Sequence, residues 1–278
     1  MNQPVWLAGL FFILACQQPS DTFVKKEAVT QLNVAYGNDP KQRMDIYLPA
    51  NRNTDTTRVL VLIHGGGWSG GDKSDFAPSI ALLQQKLPGY AIFNLNYRLA
   101  AAQTNLFPAQ ENDIKAAVEF IYNKRKEYGI AEKFVFLGAS AGAHLALLQG
   151  YKYDEPVKPK AIVSFFGPTD LAALYNSGGT GQFISQLLGG TPATQPALYR
   201  ESSPASFVNA QSPPTILLQG GADPLVPHAQ AELLRDLLTT AGVPNQYVFY
   251  PSEGHGWTGL SLFDSFEKIA GFLQTHVK

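Results

Sequence analysis

The sequence predicts an α/β fold: one mostly parallel central sheet of about eight strands, with helices on both faces. Three observations predict it. Short apolar runs alternate with longer amphipathic segments over most of the chain, and strand–helix alternation builds parallel strands joined by crossover helices. Several of those runs are apolar throughout, as strands buried on both faces require. The composition is that of an ordinary globular chain: 278 residues, 45% hydrophobic, 15% charged, net charge −1. This length fits a single large domain, and a near-zero net charge offers no electrostatic footprint for nucleic acid.

At the N-terminus, the apolar run Val5 to Ala15 is too short to span a bilayer but has the length of a signal-peptide core. Cys16, the single cysteine, follows it directly in "ILAC". That run resembles a bacterial lipobox, in which the cysteine is lipidated and becomes the mature N-terminus. The expectation is a signal peptide at 1–15, a lipidated Cys16, a polar tether at 16–30 and one domain at 31–278, exported to the bacterial cell envelope. Membrane contact would then come only through the lipid anchor. The alternative is an ordinary signal peptide with an incidental cysteine.

"LNVAYG" (32–37) and "RMDIYLP" (43–49) read as an opening antiparallel pair. "RVLVLIH" (58–64) reads as a strand buried on both faces. A helix is expected near 76–87, then a strand at 90–98. "PAQENDIKAAVEFIYNKRKEYG" (108–129) opens with proline and acids and stops on glycine, the signature of one long helix. "KFVFLGAS" (133–140) is a strand entering a tight turn, with an apolar helix at 140–150. Strands follow at 160–167, 214–220 and 245–251, with helices near 228–241 and 261–276. Residues 171–203, rich in Gly, Ser, Thr and Pro, read as a long loop or short lid over one end of the sheet. In such sheets sites form beyond the carboxyl ends of the strands.

There lies Gly138-Ala139-Ser140-Ala141-Gly142. It fits G-x-S-x-G, a strand-to-helix turn that lifts a serine hydroxyl above the sheet. With 25 glycines in the chain, roughly 0.1 chance matches are expected; the flanking strand and helix supply the rest. A serine hydroxyl needs a base that is itself oriented by a third group. Of five histidines, His255 in "PSEGHGW" alone combines a post-strand loop with the chain order Ser…Asp…His. His64, His144, His228 and His276 read as structural or peripheral. For the acid, Asp223 in "GGADPLVP" is favoured over Asp170 in "GPTDL", which reads as a helix cap.

"LIHGGGWSGGDKS" (62–74) holds five glycines in thirteen positions. Three uses compete: phosphate cradle, linker, or backbone shaped to hold negative charge. No phosphate-loop or dinucleotide pattern is present, and strands on both sides exclude a linker. The stretch matches the loop that donates oxyanion N–H groups, with Gly66, Gly67 and the elbow's Ala141 as donors. Asp72 and Lys73 read as a solvated turn, Gly70 and Gly71 as plain turn residues, and Trp68 as a wall of the site or core.

On "HGGGW" (64–68), "NYRLA" (96–100), "FPAQENDIKAAVEF" (107–120), "GASAG" (138–142), "GADPLVP" (221–227) and "GHGW" (254–257), the sequence resembles the α/β-hydrolases. The group is the esterases and lipases, including hormone-sensitive-lipase-like carboxylesterases and bacterial feruloyl or acetylxylan esterase-like domains. The resemblance spans about 30 to 278. It implies a serine carboxylesterase with Ser140, Asp223 and His255 as catalytic residues, and structural roles for Tyr97, Arg98 and Asp113. It implies neither cofactor nor metal. The region before "MDIYLP" is too short for the helical cap of many hormone-sensitive-lipase-like enzymes, so no large cap domain and an open site are expected. The substrate expected is a small-molecule or carbohydrate-linked ester, with Trp68 and Trp257 candidates to shape its site. Alternatives are an arylformamidase or peptidase-type amide hydrolase of the same fold, and a non-catalytic binding protein.

Overall fold

The run "RVLVLI" forms the middle of the sheet because both of its faces are apolar. In the computed structural model, which describes Met1 and residues 26–278, Val59, Val61 and Ile63 pack into one helical layer. Leu60 and Leu62 pack into the other, and all five are fully buried. The same two-sided burial runs through the neighbouring strands, which explains their continuous apolar sequences. Val5 to Ala15 and Cys16 lie outside the described residues.

The chain order is β1 (Val29–Ala35), β2 (Arg43–Leu48), β3 (Arg58–Ile63), α1 (Ala77–Lys86), β4 (Tyr90–Leu95), α2 (Ala109–Asn123), α3 (Arg125–Tyr128), β5 (Phe134–Ala139) and α4 (Ala141–Lys152). It continues through β6 (Ala161–Phe165), α5 (Leu171–Asn176), α6 (Gly181–Leu188), α7 (Pro196–Glu201), β7 (Thr215–Gly220), α8 (Ala229–Thr240), β8 (Asn245–Tyr250) and α9 (Gly259–His276). The eight strands form one sheet in the order β1-β2-β4-β3-β5-β6-β7-β8. Strand β2 runs antiparallel to both β1 and β4, and every other pairing is parallel. Leu145, Leu148, Ile114, Val118, Leu234 and Leu238 cover one face. Ile80, Leu83, Phe266, Ile269, Phe272 and Leu273 cover the other.

Three expectations are refined. Val29 and Thr30, expected in the tether, open β1. The helix expected over 108–129 is two, α2 and α3, which break at Lys124 before Gly129 closes α3 in the left-handed conformation. The segment 171–203 is not a loop but three short helices. Its small polar residues are caps: Asp170 accepts from the amides of Ala172 and Ala173, Gly189 closes α6 at positive φ, and Pro196 opens α7. Leu174, Ile184 and Leu187 bury its inner side. The loop after β4 is tied to α2 by an ion pair: fully buried Asp113 receives the Arg98 guanidinium through both oxygens, plus the Arg98 amide and the Gln42 amide group.

Candidate active site

Strand β5 ends at Ala139 and α4 begins at Ala141, so Ser140 must turn the chain alone. It does so at φ 55°, ψ −121°, with its amide donating to the Phe165 carbonyl of β6 (2.9 Å). The flanking glycines are set by close approach. A Cβ on Gly138 would run into the Gly142 carbonyl, and one on Gly142 into the Ile63 carbonyl of β3. The turn therefore presses onto the neighbouring strand, and no side chain fits at its feet.

The loop after β8 brings His255 over this turn. Its Nε2 lies 2.9 Å from Ser140 Oγ and its Nδ1 2.8 Å from Asp223 Oδ2. The loop after β7 supplies Asp223, whose Oδ1 accepts from the amides of Leu225 and Val226, each at 2.9 Å. Gln219 Nε2 donates to Oδ2 at 3.3 Å. Burial alone would raise the Asp223 carboxyl; the His255 ring and the two backbone amides outweigh it and hold it below the usual carboxylate range. An ionised carboxylate can only accept, so the ring proton belongs on Nδ1, and Nε2 is left to accept from the serine hydroxyl. Asp170, the rival acid, is the α5 cap.

The glycine loop after β3 forms the adjacent wall. His64 is buried, stacks on Tyr97 (centroids 4.3 Å apart), and its Nδ1 donates to the Gly65 carbonyl at 2.7 Å. The Tyr97 hydroxyl donates to the His64 carbonyl at 2.9 Å. Gly66 (φ 104°) and Gly67 (φ 57°) hold conformations that side chains resist. Among the described residues their amides donate to no oxygen. Ala141 is the first residue of α4, so its amide has no intrahelical acceptor. All three border one cavity of about 410 Å³ with Ser140 and His255. Its other walls are mainly apolar, with Trp68, Phe166, Leu174, Phe183 and Leu225 prominent; Asp75 and Thr180 add polar groups. Three non-glycine residues at this cavity, Trp68, Ser140 and Phe166, sit at positive φ. Such conformations cost on the order of 1–3 kcal/mol each and gather at functional sites.

Several sequence readings change here. Gly71 is not a plain turn residue. It sits at φ 88°, and a Cβ there would strike the Gly65 carbonyl and His64 Nδ1, whereas Gly70 has room. Lys73 is not solvated; it is buried and its Nζ meets Asp45 Oδ2 at 2.8 Å. Trp257 lies outside the cavity lining: it packs on Phe165, Phe166 and Tyr250 and donates to Ser265 Oγ. Trp68 is both core and wall, 3% exposed, with its indole N–H donating to His144 Nδ1 at 3.1 Å. His144 in turn donates Nε2–H to the Ser202 carbonyl, and burial pushes its pKa down to about 4. Sequence reasoning missed Phe183 and Leu225. Both lie in segments whose patterns mark caps and turns, and no short-range signal says which side chains overhang a site.

The BD-FAE family model matches residues 44–238. Among curated proteins, Esterase LipC of Mycobacterium tuberculosis is 24% identical over 82% of this chain and 60% of its own length. Esterase LipQ of the same organism is 28% identical over 72% of this chain and 50% of its own. The chain thus spans about half to three-fifths of these relatives. A solved bifunctional GH43-CE protein of Bacteroides eggerthii superposes with a TM-score of 0.78 at 26% identity, covering 90% of this chain and 35% of that one. The match over more than half of the chain, with the sheet and turn just described, places it: this protein belongs to the BD-FAE domain family and has the α/β-hydrolase fold.

Proposed function

We propose that this protein is a serine carboxylesterase that acts on small carboxylic esters, including acyl groups carried by carbohydrates. The observation that carries this reading is the unbroken hydrogen-bond chain from Ser140 through His255 to Asp223 at the floor of the cavity. The relatives named as esterases point the same way. Ser140 Oγ attacks the acyl carbon as His255 Nε2 takes its proton. Asp223 keeps the ring in the required tautomer and stabilises the imidazolium. The tetrahedral oxyanion rests on the amides of Gly66, Gly67 and Ala141, donors already free of other partners; losing one such donor typically lowers kcat about 10²–10³-fold. His255 then protonates the leaving alcohol, and water attacks the acyl-enzyme by the same steps in reverse.

The test is a substrate panel: acetyl to octanoyl esters, feruloyl esters, acetylated xylan, and formyl and peptidyl amides, each with Ser140→Ala as control. Ester turnover that disappears in Ser140→Ala supports the reading. Faster turnover of the amides would move the protein to the formamidase or peptidase class. No turnover of any member would favour a binding protein.

A further inference from the structure

The end of the sheet opposite the cavity carries a different chemistry. The site residues follow the carboxyl ends of β3, β5, β7 and β8. At the amino ends of β5 and β6, a cleft of about 720 Å³ is lined by Arg125, Lys126, Lys133 and Lys160, with Asp55 and Glu132 as its acids among the described residues. Glu132 is spent on Arg125. Lys126, Lys133 and Lys160 pair with no carboxylate among the described residues, and Lys126 and Lys160 are exposed. Lys26 lies on this same face. The Lys26 carbonyl accepts from the Asn51 amide, and the Lys26 ammonium lies against Gly129. Arg52 joins the segment to α3, donating to the Glu27 and Tyr128 carbonyls. At the cavity end, the charged residue lining the site is Asp75.

We propose that this basic face docks on an anionic lipid surface, with the cavity turned away from it. Two features of the protein select a lipid surface as occupant. Each lysine near an anionic bilayer adds an attraction that extends about a Debye length. And Lys26, on this face, stands ten positions after Cys16, which directly follows the apolar run ending at Ala15. Ten extended residues span at most about 35 Å, so a lipid on Cys16 would keep this face within reach of the bilayer, and its lysines would favour this face at the surface. A single acyl chain anchors marginally and needs a second attachment, and a basic patch is one of the known forms. Strands of six residues are about 20 Å long, so the cavity then faces water. Substrates would come from the aqueous side and not from the bilayer.

The experiment uses the full chain and two kinds of vesicle, phosphatidylcholine alone and phosphatidylcholine mixed with phosphatidylglycerol. At low salt the wild type should partition at least about tenfold more strongly to the anionic vesicles, and high salt should abolish the preference. Combined Lys126→Gln, Lys133→Gln and Lys160→Gln should lose the preference while keeping wild-type turnover of a soluble ester, which also shows that it is folded. On vesicles, amine acetylation should spare Lys133 and Lys160 but not exposed Lys41, at the cavity end. Equal partition to both vesicles, an unchanged triple variant, or full competition by inorganic phosphate would overturn the proposal; the last would mean a discrete anion site. Partition is read without catalysis and a wild-type melting temperature shows that the triple variant is folded, so failure of the esterase reading would leave this test intact.

Discussion

Three neighbouring glycines in the loop after β3 obey three different constraints, and substitution separates them. Gly70 has ordinary φ and space for a Cβ, the nearest atom being 3.5 Å away. Gly70→Ala should leave kcat and melting temperature near wild type. Gly71→Ala places a Cβ into the backbone of Gly65 at positive φ and should cost about 2 kcal/mol of stability or more in chemical denaturation. Gly67 has positive φ but open surroundings apart from the Phe183 ring at 3.3 Å. Gly67→Ala should cost about 1 kcal/mol of stability and lower kcat by about ten- to a hundredfold through displacement of its amide. His144 gives a second test at this scale. Its folded pKa of about 4 lies below the ordinary 6.5, so the unfolded chain binds the proton first as pH falls. The stability is intact above pH about 6.5 and is lost towards pH 4, by about 3 kcal/mol in all. His144→Gln keeps an acceptor for Trp68 and a donor for Ser202, and should flatten that part of the pH–stability curve measured by denaturation. At this scale the placement of residues was legible where a motif names them: Ser140, Asp223, His255, Gly66, Gly67 and Ala141 all border one cavity or join its hydrogen-bond chain. It was illegible for Gly71 and Lys73, whose constraints come from atoms distant in the chain.

The elements tell a similar story with a different cause of error. Strands were readable because burial on both faces forces continuous apolar runs, and their ends fall within a few residues of expectation. The insertion of α5, α6 and α7 was not, because short helices show mainly their caps, and Gly, Ser, Thr and Pro serve caps and loops alike. This insertion shapes the site: Phe183 on α6 lines the cavity while remaining 45% exposed, and Leu225 faces the rim at 40% exposed. Exposed apolar side chains at a cavity mouth are placed to meet an apolar part of a substrate. Phe183→Ala should raise KM for octanoyl esters about tenfold, equivalent to about 1.4 kcal/mol of lost apolar contact. Acetyl esters should change little in KM, and kcat should hold for both. A uniform fall in kcat across the series would instead mean that Phe183 supports Gly67 rather than the acyl group.

Across the whole molecule, the candidate site follows from the polarity of a parallel sheet. The six parallel strands β3 to β8 gather their following loops at one end, and residues separated by more than a hundred positions meet there. Chain order and motif sufficed to name those residues; the lining that sets substrate size, and the opposing basic face, emerged only from three-dimensional packing. The central claim is that Ser140 is an activated nucleophile made so by His255 and Asp223. A fluorophosphonate probe followed by peptide mass analysis tests it most directly. The account predicts one adduct per chain, on the peptide containing Ser140, with labelling lost in Ser140→Ala and slowed by orders of magnitude in His255→Ala, while both variants remain folded. Absence of wild-type labelling, or equal labelling of wild type and Ser140→Ala, would contradict it.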